Sequence, residues 1–291
     1  MRIAESELII NADGSVFHLH MKPCQLADTV IVVGDPERVA VFASLFRDIE
    51  HRGSHREFAF VTGTYKGRRM TVLSTGIGTD NIDIVMNELE ALANLDFVTR
   101  EFRPERRKLT VVRAGTCGAI QPDVPTGSLI LSHYSIGFDG LMNWYADREK
   151  ILDLDMEKAF VEHMNWLPAL PRPCIIRNSE KLIKLFSPGT VSAMTVSAPG
   201  FYGPQGRVIR QGLAMPDMLD RVESFRYAGM KICNIEMEGS ALAGLAAHFG
   251  HDAITICVAL ANRYHRKADV VESEAVAGLV KFTLDRLAEM R

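Results

Sequence analysis

Apolar, β-branched residues gather in runs along this chain, and polar turn residues separate them. "TVIVVG" (29–34), "RMTVLSTG" (69–76), "LTVVRAG" (109–115), "GSLILS" (127–132), "GTVSAMTVS" (189–197), "KICNIEM" (231–237) and "AITICVALA" (253–261) are too short for membrane spans. They lack the polar alternation of a half-exposed strand, so they predict strands buried on both faces. Between them the apolar positions recur at helical spacing in "PERVAVFASLF", "NIDIVMNELEALANL", "EGSALAGLAAHFG" and "ESEAVAGLVKFTLDRLAEMR". A proline opens the first of these helices and Gly250 closes the third. Strands alternating with amphipathic helices predict an α/β fold, a three-layer α/β/α sandwich around a mixed, mostly parallel twisted sheet. The pattern runs through residues 1–291 as one domain without repeat or linker. Residues 141–188 read as irregular, an insertion or an interface element.

In such folds ligands collect at the carboxyl ends of the strands. The stretches that follow the predicted strands are therefore the informative ones: "GDPER", "STGIGTDN", "RAGTCGAIQ", "SAPGFYGPQGR", "EMEGS" and "LANRYHR". Gly34 before Asp35, Pro36 and a helix start frees backbone N–H groups toward a ligand, and Arg38 adds a planar fork one turn on. Arg113, a tight "AGTCG" turn and the Thr116 hydroxyl would supply a second cationic edge. Two guanidiniums and a small hydroxyl suit inorganic phosphate, since each fork meets two oxygens at once. Taken singly, either arginine reads first as a structural ion at a sheet edge. Neither a Walker loop nor a complete dinucleotide loop is present.

Composition narrows the partners. The 291 residues carry a net charge of -3, and 47% are hydrophobic. That balance offers no basic field for a nucleic-acid backbone. No apolar run reaches the length of a membrane span, and the acidic opening "MRIAESELII" is unlike a secretory leader, so a cytoplasmic protein is expected. Five cysteines, far apart and without a C-x-x-C pair, predict reduced thiols and neither a disulfide framework nor a thiolate zinc site. The histidines of "HLH" and "HFGH" lack acids at ligand spacing, so no catalytic metal is expected.

Glu236 and Glu238 of "EMEGS" would project from one face of a strand, with Met237 on the other. A carboxylate there can accept from two vicinal hydroxyls, the pattern of a ribose diol, and Met237 can pack beneath a sugar. The bland alternative for Glu238 is a helix N-terminal charge. "FYGPQGR" offers an aromatic face at Phe201, an amide at Gln205 and a guanidinium at Arg207 for a flat heterocycle.

"VFHLH", "VVGDPERV", "SHREF", "STGIG", "RAGTCGAIQPDVPTG", "FYGPQGR", "NIEMEGSAL" and "ANR", in that order, make the chain resemble the nucleoside phosphorylases, above all those acting on uridine. Purine-cleaving members place an aspartate after the late strand; here "LANRYHR" has Arg263 and no acid, which favours a pyrimidine. The resemblance implies reversible phosphorolysis of uridine to uracil and ribose 1-phosphate, with phosphate as co-substrate and no organic cofactor. It assigns Gly34, Arg38, Arg113 and Thr116 to phosphate, with Arg56 reaching in from a neighbouring subunit. Met237 and Glu238 would hold the ribose, Glu236 standing nearby and His18 coming across the dimer to the 5'-hydroxyl. Phe201, Gln205, Arg207 and Arg263 would hold the base. Self-association into a dimer, or a hexamer of dimers, is implied. Gly203 and Pro204 stand in reversed order relative to the family. Asn81, beside Glu57 and Ile77, replaces the serine of potassium-binding relatives, so the resemblance stops short of that cation. A nucleosidase and a noncatalytic nucleoside binder are the alternatives.

Overall fold

The computed structural model describes residues 2–268 and 271–290. In chain order its strands are β1 (Thr29–Val33), β2 (Arg47–His55), β3 (Phe58–Tyr65), β4 (Arg68–Ser74), β5 (Leu95–Asp96), β6 (Glu101–Phe102), β7 (Thr110–Ala119), β8 (Leu129–Gly137), β9 (Cys174–Arg177), β10 (Val191–Ser197), β11 (Arg226–Tyr227), β12 (Met230–Glu236) and β13 (Asp252–Asn262). The helices are α1 (Pro36–Ala43), α2 (Thr79–Asn94), α3 (Leu154–Met164), α4 (Glu180–Phe186), α5 (Met218–Ser224), α6 (Gly239–Phe249) and α7 (Glu272–Ala288).

One mixed sheet takes eleven of these strands, in the order β11-β12-β10-β8-β13-β7-β1-β4-β3-β2, with β9 on the flank of β8. β4, β1, β7 and β13 run parallel, as do β8, β10 and β12. The two blocks meet antiparallel at β13–β8, and the end of β7 also reaches β12 through Ile235↔Gly118 and Asn234↔Ala119. Half of the sheet therefore curls toward a closed barrel. Register shifts at Ala193/Met194, Met194/Thr195 and Ala259/Ala261 give the physical reason, because a bulge bends its strand and tightens the local twist.

Helices cover both faces. α2 and α6 bury Ile82, Leu89, Leu242 and Leu245 on one side of the sheet. On the other, Phe42 of α1, Phe186 of α4 and Leu279 and Leu284 of α7 pack against Ile31, Val112 and Ile254. Burying one such side chain contributes about 1.5–3 kcal/mol, so this doubly covered sheet is a rigid frame for whatever its strand ends hold. α3 and α5 form a third cluster with β9 and β10, through Phe160, Val222 and Ile175.

All seven predicted strands and four predicted helices are present. The expected C-terminal helix runs to Ala288; its last expected residue, Arg291, lies outside the described residues. Residues 141–188 differ from the reading as irregular. They hold α3, β9 and α4, and β9 extends the sheet by pairing antiparallel with β8. No helix among the described residues is long and apolar enough to cross a membrane.

Candidate active site

A cleft of about 630 Å3 opens where β1, β4, β7, β10, β12 and β13 end. Gly34, Arg38, Arg113, Thr116, Phe201, Gln205, Arg207, Glu236, Met237 and Glu238 all line it. Ten of the thirteen expected site residues thus share one hollow, although they span more than 200 positions of sequence. The other three lie elsewhere. Arg263 lines the adjoining cavity and donates from Nη1 to the Gln205 carbonyl at 3.1 Å. His18 is held by Glu88, 2.6 Å from its Nδ1, and the Arg56 guanidinium sits 5.9 Å from the Phe17 ring centre. Neither His18 nor Arg56 lines the cleft of its own chain.

The cationic floor is built by β1, β7 and the α1 N-terminus. Asp35 caps α1 by accepting from Glu37 N at 2.8 Å, and Pro36 occupies the first helical turn, so Arg38 is fixed one turn in. Arg38 is buried, and the exposed Glu272 carboxylate stands 4.0 Å from its Nη2. Burial, and then the Arg113 charge, push the Arg38 guanidinium below its ordinary pKa. An incoming anion would relieve both penalties.

Arg113 is 5% exposed and is gripped by two acids. Its Nη1 lies 3.0 Å from Glu236 Oε2 and donates to Cys257 Sγ at 3.3 Å, while Nη2 donates to Glu238. Burial alone would lower its pKa, but Glu238 and Glu236 outweigh that and hold it above the ordinary value. The "AGTCG" segment is not the tight turn expected from its glycines. β7 continues straight through it to Ala119, paired with β13. Gly115 serves another purpose there, since a β-carbon at that position would overlap the Arg113 guanidinium crossing it. Cys117, at the cleft wall, is a buried thiol whose pKa is raised by burial and by its neighbour Cys257, which keeps it protonated.

Glu236 and Glu238 do not alternate along one strand as expected. β12 stops at Glu236, whose carboxylate accepts from the backbone N–H groups of Glu238 (2.9 Å) and Gly239 (2.9 Å) and from the Ser197 hydroxyl. These bonds turn the chain into α6 and occupy the Glu236 oxygens, so this acid positions the turn and Arg113. Glu238 stands at the α6 N-cap without capping it. It accepts instead from Gly78 N at 2.7 Å and from Arg113. Burial raises the Glu238 pKa, beyond the pull of Arg113 in the other direction. Gly78 and Ser197 were not singled out by the sequence; the glycine pair of "STGIG" was the available signal for the first.

At the far wall, the Arg207 guanidinium carbon lies 3.9 Å from the Phe201 ring centre. Its Nη1 donates to the Phe201 carbonyl at 2.7 Å and to Gln205 Oε1 at 2.6 Å. Among the described residues nothing accepts from the amide NH2 of Gln205 or from the remaining guanidinium N–H groups, which leaves them open to a ligand. Burial, and then the nearby Arg263 charge, push the Arg207 pKa down to about 10, so it stays cationic at neutral pH.

The sequence profile described as "Phosphorylase superfamily" matches residues 28–289. The chain belongs to this superfamily. A curated relative, the uridine phosphorylase of Thermococcus kodakarensis, is 30% identical over 280 residues, covering 93% of this chain and 88% of the relative. A solved nucleoside phosphorylase of Trypanosoma brucei, described as showing uridine phosphorylase activity, superposes with a TM-score of 0.89. It is 29% identical and covers 97% of this chain and all of its own. A Phytophthora capsici structure from work on two uridine phosphorylases matches at a TM-score of 0.69 and 22% identity, over 97% of each chain, and bears on the fold alone. The mixed sheet flanked by helices is the fold these superfamily members share.

Proposed function

We propose that this phosphorylase-superfamily member is a uridine phosphorylase: uridine and phosphate give uracil and ribose 1-phosphate, reversibly, in pyrimidine nucleoside breakdown and salvage. The observation that carries the reading is the single cleft uniting Arg38, Arg113 and Thr116 with Glu238 and with the Gln205–Arg207 pair. The 30% identity to a uridine phosphorylase across nearly the whole chain supports it. Phosphate belongs at the cationic floor, with Gly34 leaving its backbone open to the anion. Glu238 takes the ribose hydroxyls and Met237 packs on the sugar. Phe201 faces the base, while Gln205 and Arg207 meet its carbonyl edge with Arg263 bracing them.

As the bond from sugar to base lengthens, positive charge grows on the ribose and negative charge on uracil. The phosphate dianion, fixed beneath the sugar, balances the first charge and attacks the same carbon. Donors on Arg207 and Gln205 balance the second, and their bonds strengthen as the reaction proceeds. No covalent link to the protein and no organic cofactor is required. Cytosine presents the opposite donor and acceptor pattern at positions 3 and 4, leaving groups unpaired at this wall, and such mismatches discriminate strongly.

The site belongs to a single domain of a cytoplasmic homo-oligomer in which Arg56 and His18 of one copy complete the cleft of another. Uracil release from uridine, followed with and without phosphate, tests the proposal. Release is expected only with phosphate. Equal release without it would indicate a nucleosidase, and none in either condition a binding protein.

A further inference from the structure

A second cavity, about 830 Å3, lies directly behind the base wall. The short segment 201–207 separates the two spaces: Phe201 and Gln205 face the cleft, Tyr202 and Gly206 face the second chamber, and Arg207 lines both. Arg263 and Arg266 join Arg207 in the chamber, with Asp220 and Glu223 of the α5 side lining it as well. Arg207 and Arg263 are half-buried and have no carboxylate partner among the described residues; their hydrogen bonds go to the Phe201 and Gln205 oxygens. Desolvated guanidiniums without an acid mark a place where an anion is favoured.

Charge count and shape restrict that anion. Three guanidiniums against two carboxylates leave one uncompensated positive charge, which matches a monoanion better than a phosphate dianion. Tyr202, Ile120 and Leu219 add apolar wall, suited to a short hydrocarbon stem. On a pyrimidine whose carbonyl edge meets Gln205 and Arg207, C5 is the ring carbon beside that edge and away from the sugar bond. A substituent at C5 therefore leads toward the partition.

We propose that this chamber receives a short C5 substituent ending in a carboxylate, so that the substrate class extends from uridine to acidic base-modified uridines. The proposal rests on the base assignment made above. Its test compares kcat/KM for 5-carboxymethyluridine, for the uncharged isostere 5-carbamoylmethyluridine and for uridine. The carboxylate is expected to be preferred over the amide about fivefold, the scale of a partly exposed ion pair. Arg266→Gln, at an exposed position outside the cleft, should cut that preference toward unity with uridine turnover unchanged, and Arg266→Lys should retain it. High salt should also shrink it. An amide used as well as the acid, a preference unmoved by Arg266→Gln, or neither derivative cleaved while uridine is, would each overturn the chamber assignment. Failure to cleave uridine itself would instead count against the base assignment.

Discussion

At the scale of single residues, the site is organised by the contest for Arg113. Glu236 and Glu238 both hold its guanidinium, yet their surroundings give them different tasks. Glu236 spends its oxygens on backbone N–H groups and on Ser197, whereas Glu238 accepts, among the described residues, only from Gly78 N and Arg113 and can still accept from a diol. Replacing Glu238 by Gln should therefore lower kcat/KM about tenfold or more for ribosides and less for 2'-deoxyribosides, since a hydrogen bond to a charged group is worth about 1.5–3 kcal/mol. Equal losses on both would remove Glu238 from the ribose. Much of this cleft was legible in the sequence because arginines, acids, an amide and an aromatic placed just after apolar strands stand out from the runs before them. The division of labour between the two acids was not. It depends on where β12 ends, and "NIEMEGS" reads equally well with the strand one turn longer.

At the scale of elements, buried strands announced themselves and exposed ones did not. β1, β7 and β13 are near-continuous apolar runs because helices cover both faces, and their starts fall within one residue of the expected positions. β2, "RDIEHRGSH", is mostly exposed and carries no apolar alternation, so nothing in its pattern marked it as a strand. Its pairing with β3 supplies the order that its own composition does not. The C-terminal helix is tied to the β3–β4 turn by Asp285, which accepts from the Tyr65 hydroxyl and the Lys66 ammonium, each at 2.7 Å, and from Lys281 at 2.6 Å. Bonds from Lys281, Lys66 and Tyr65 hold the Asp285 carboxyl well below the usual carboxylate range. A depressed folded-state pKa means stability that is present above the unfolded value and lost as pH falls through the folded one. The Tm gap between the wild type and Asp285→Asn should accordingly be present at pH 7 and narrow progressively below about pH 4, where the unfolded carboxyl starts to bind its proton. A gap that widened in acid would contradict this tie.

At the scale of the molecule, the curled sheet brings the ends of β1, β4, β7, β10, β12 and β13 to one opening, and that closure is what converts six separate sequence stretches into one cleft. Closure was the part of the fold least visible in the chain, since it follows from bulges at Ala193, Met194 and Ala259 rather than from apolar periodicity. His18 and Arg56, outside their own chain's cleft, carry the reading of a shared site. On that reading Arg56→Ala and Glu238→Gln are each impaired about tenfold or more alone but gain activity on mixing and reassociation, because a mixed dimer contains one intact site. An equal mixture should reach about a quarter of the wild-type rate for a dimer. A mixture no more active than the sum of its parts would place each site within one chain. The most direct test of the phosphorolysis reading follows phosphorus rather than uracil. With uridine and inorganic phosphate, 31P NMR should show phosphate converted to ribose 1-phosphate in step with uracil release. Uracil accumulating beside free ribose and an undiminished phosphate signal would contradict it.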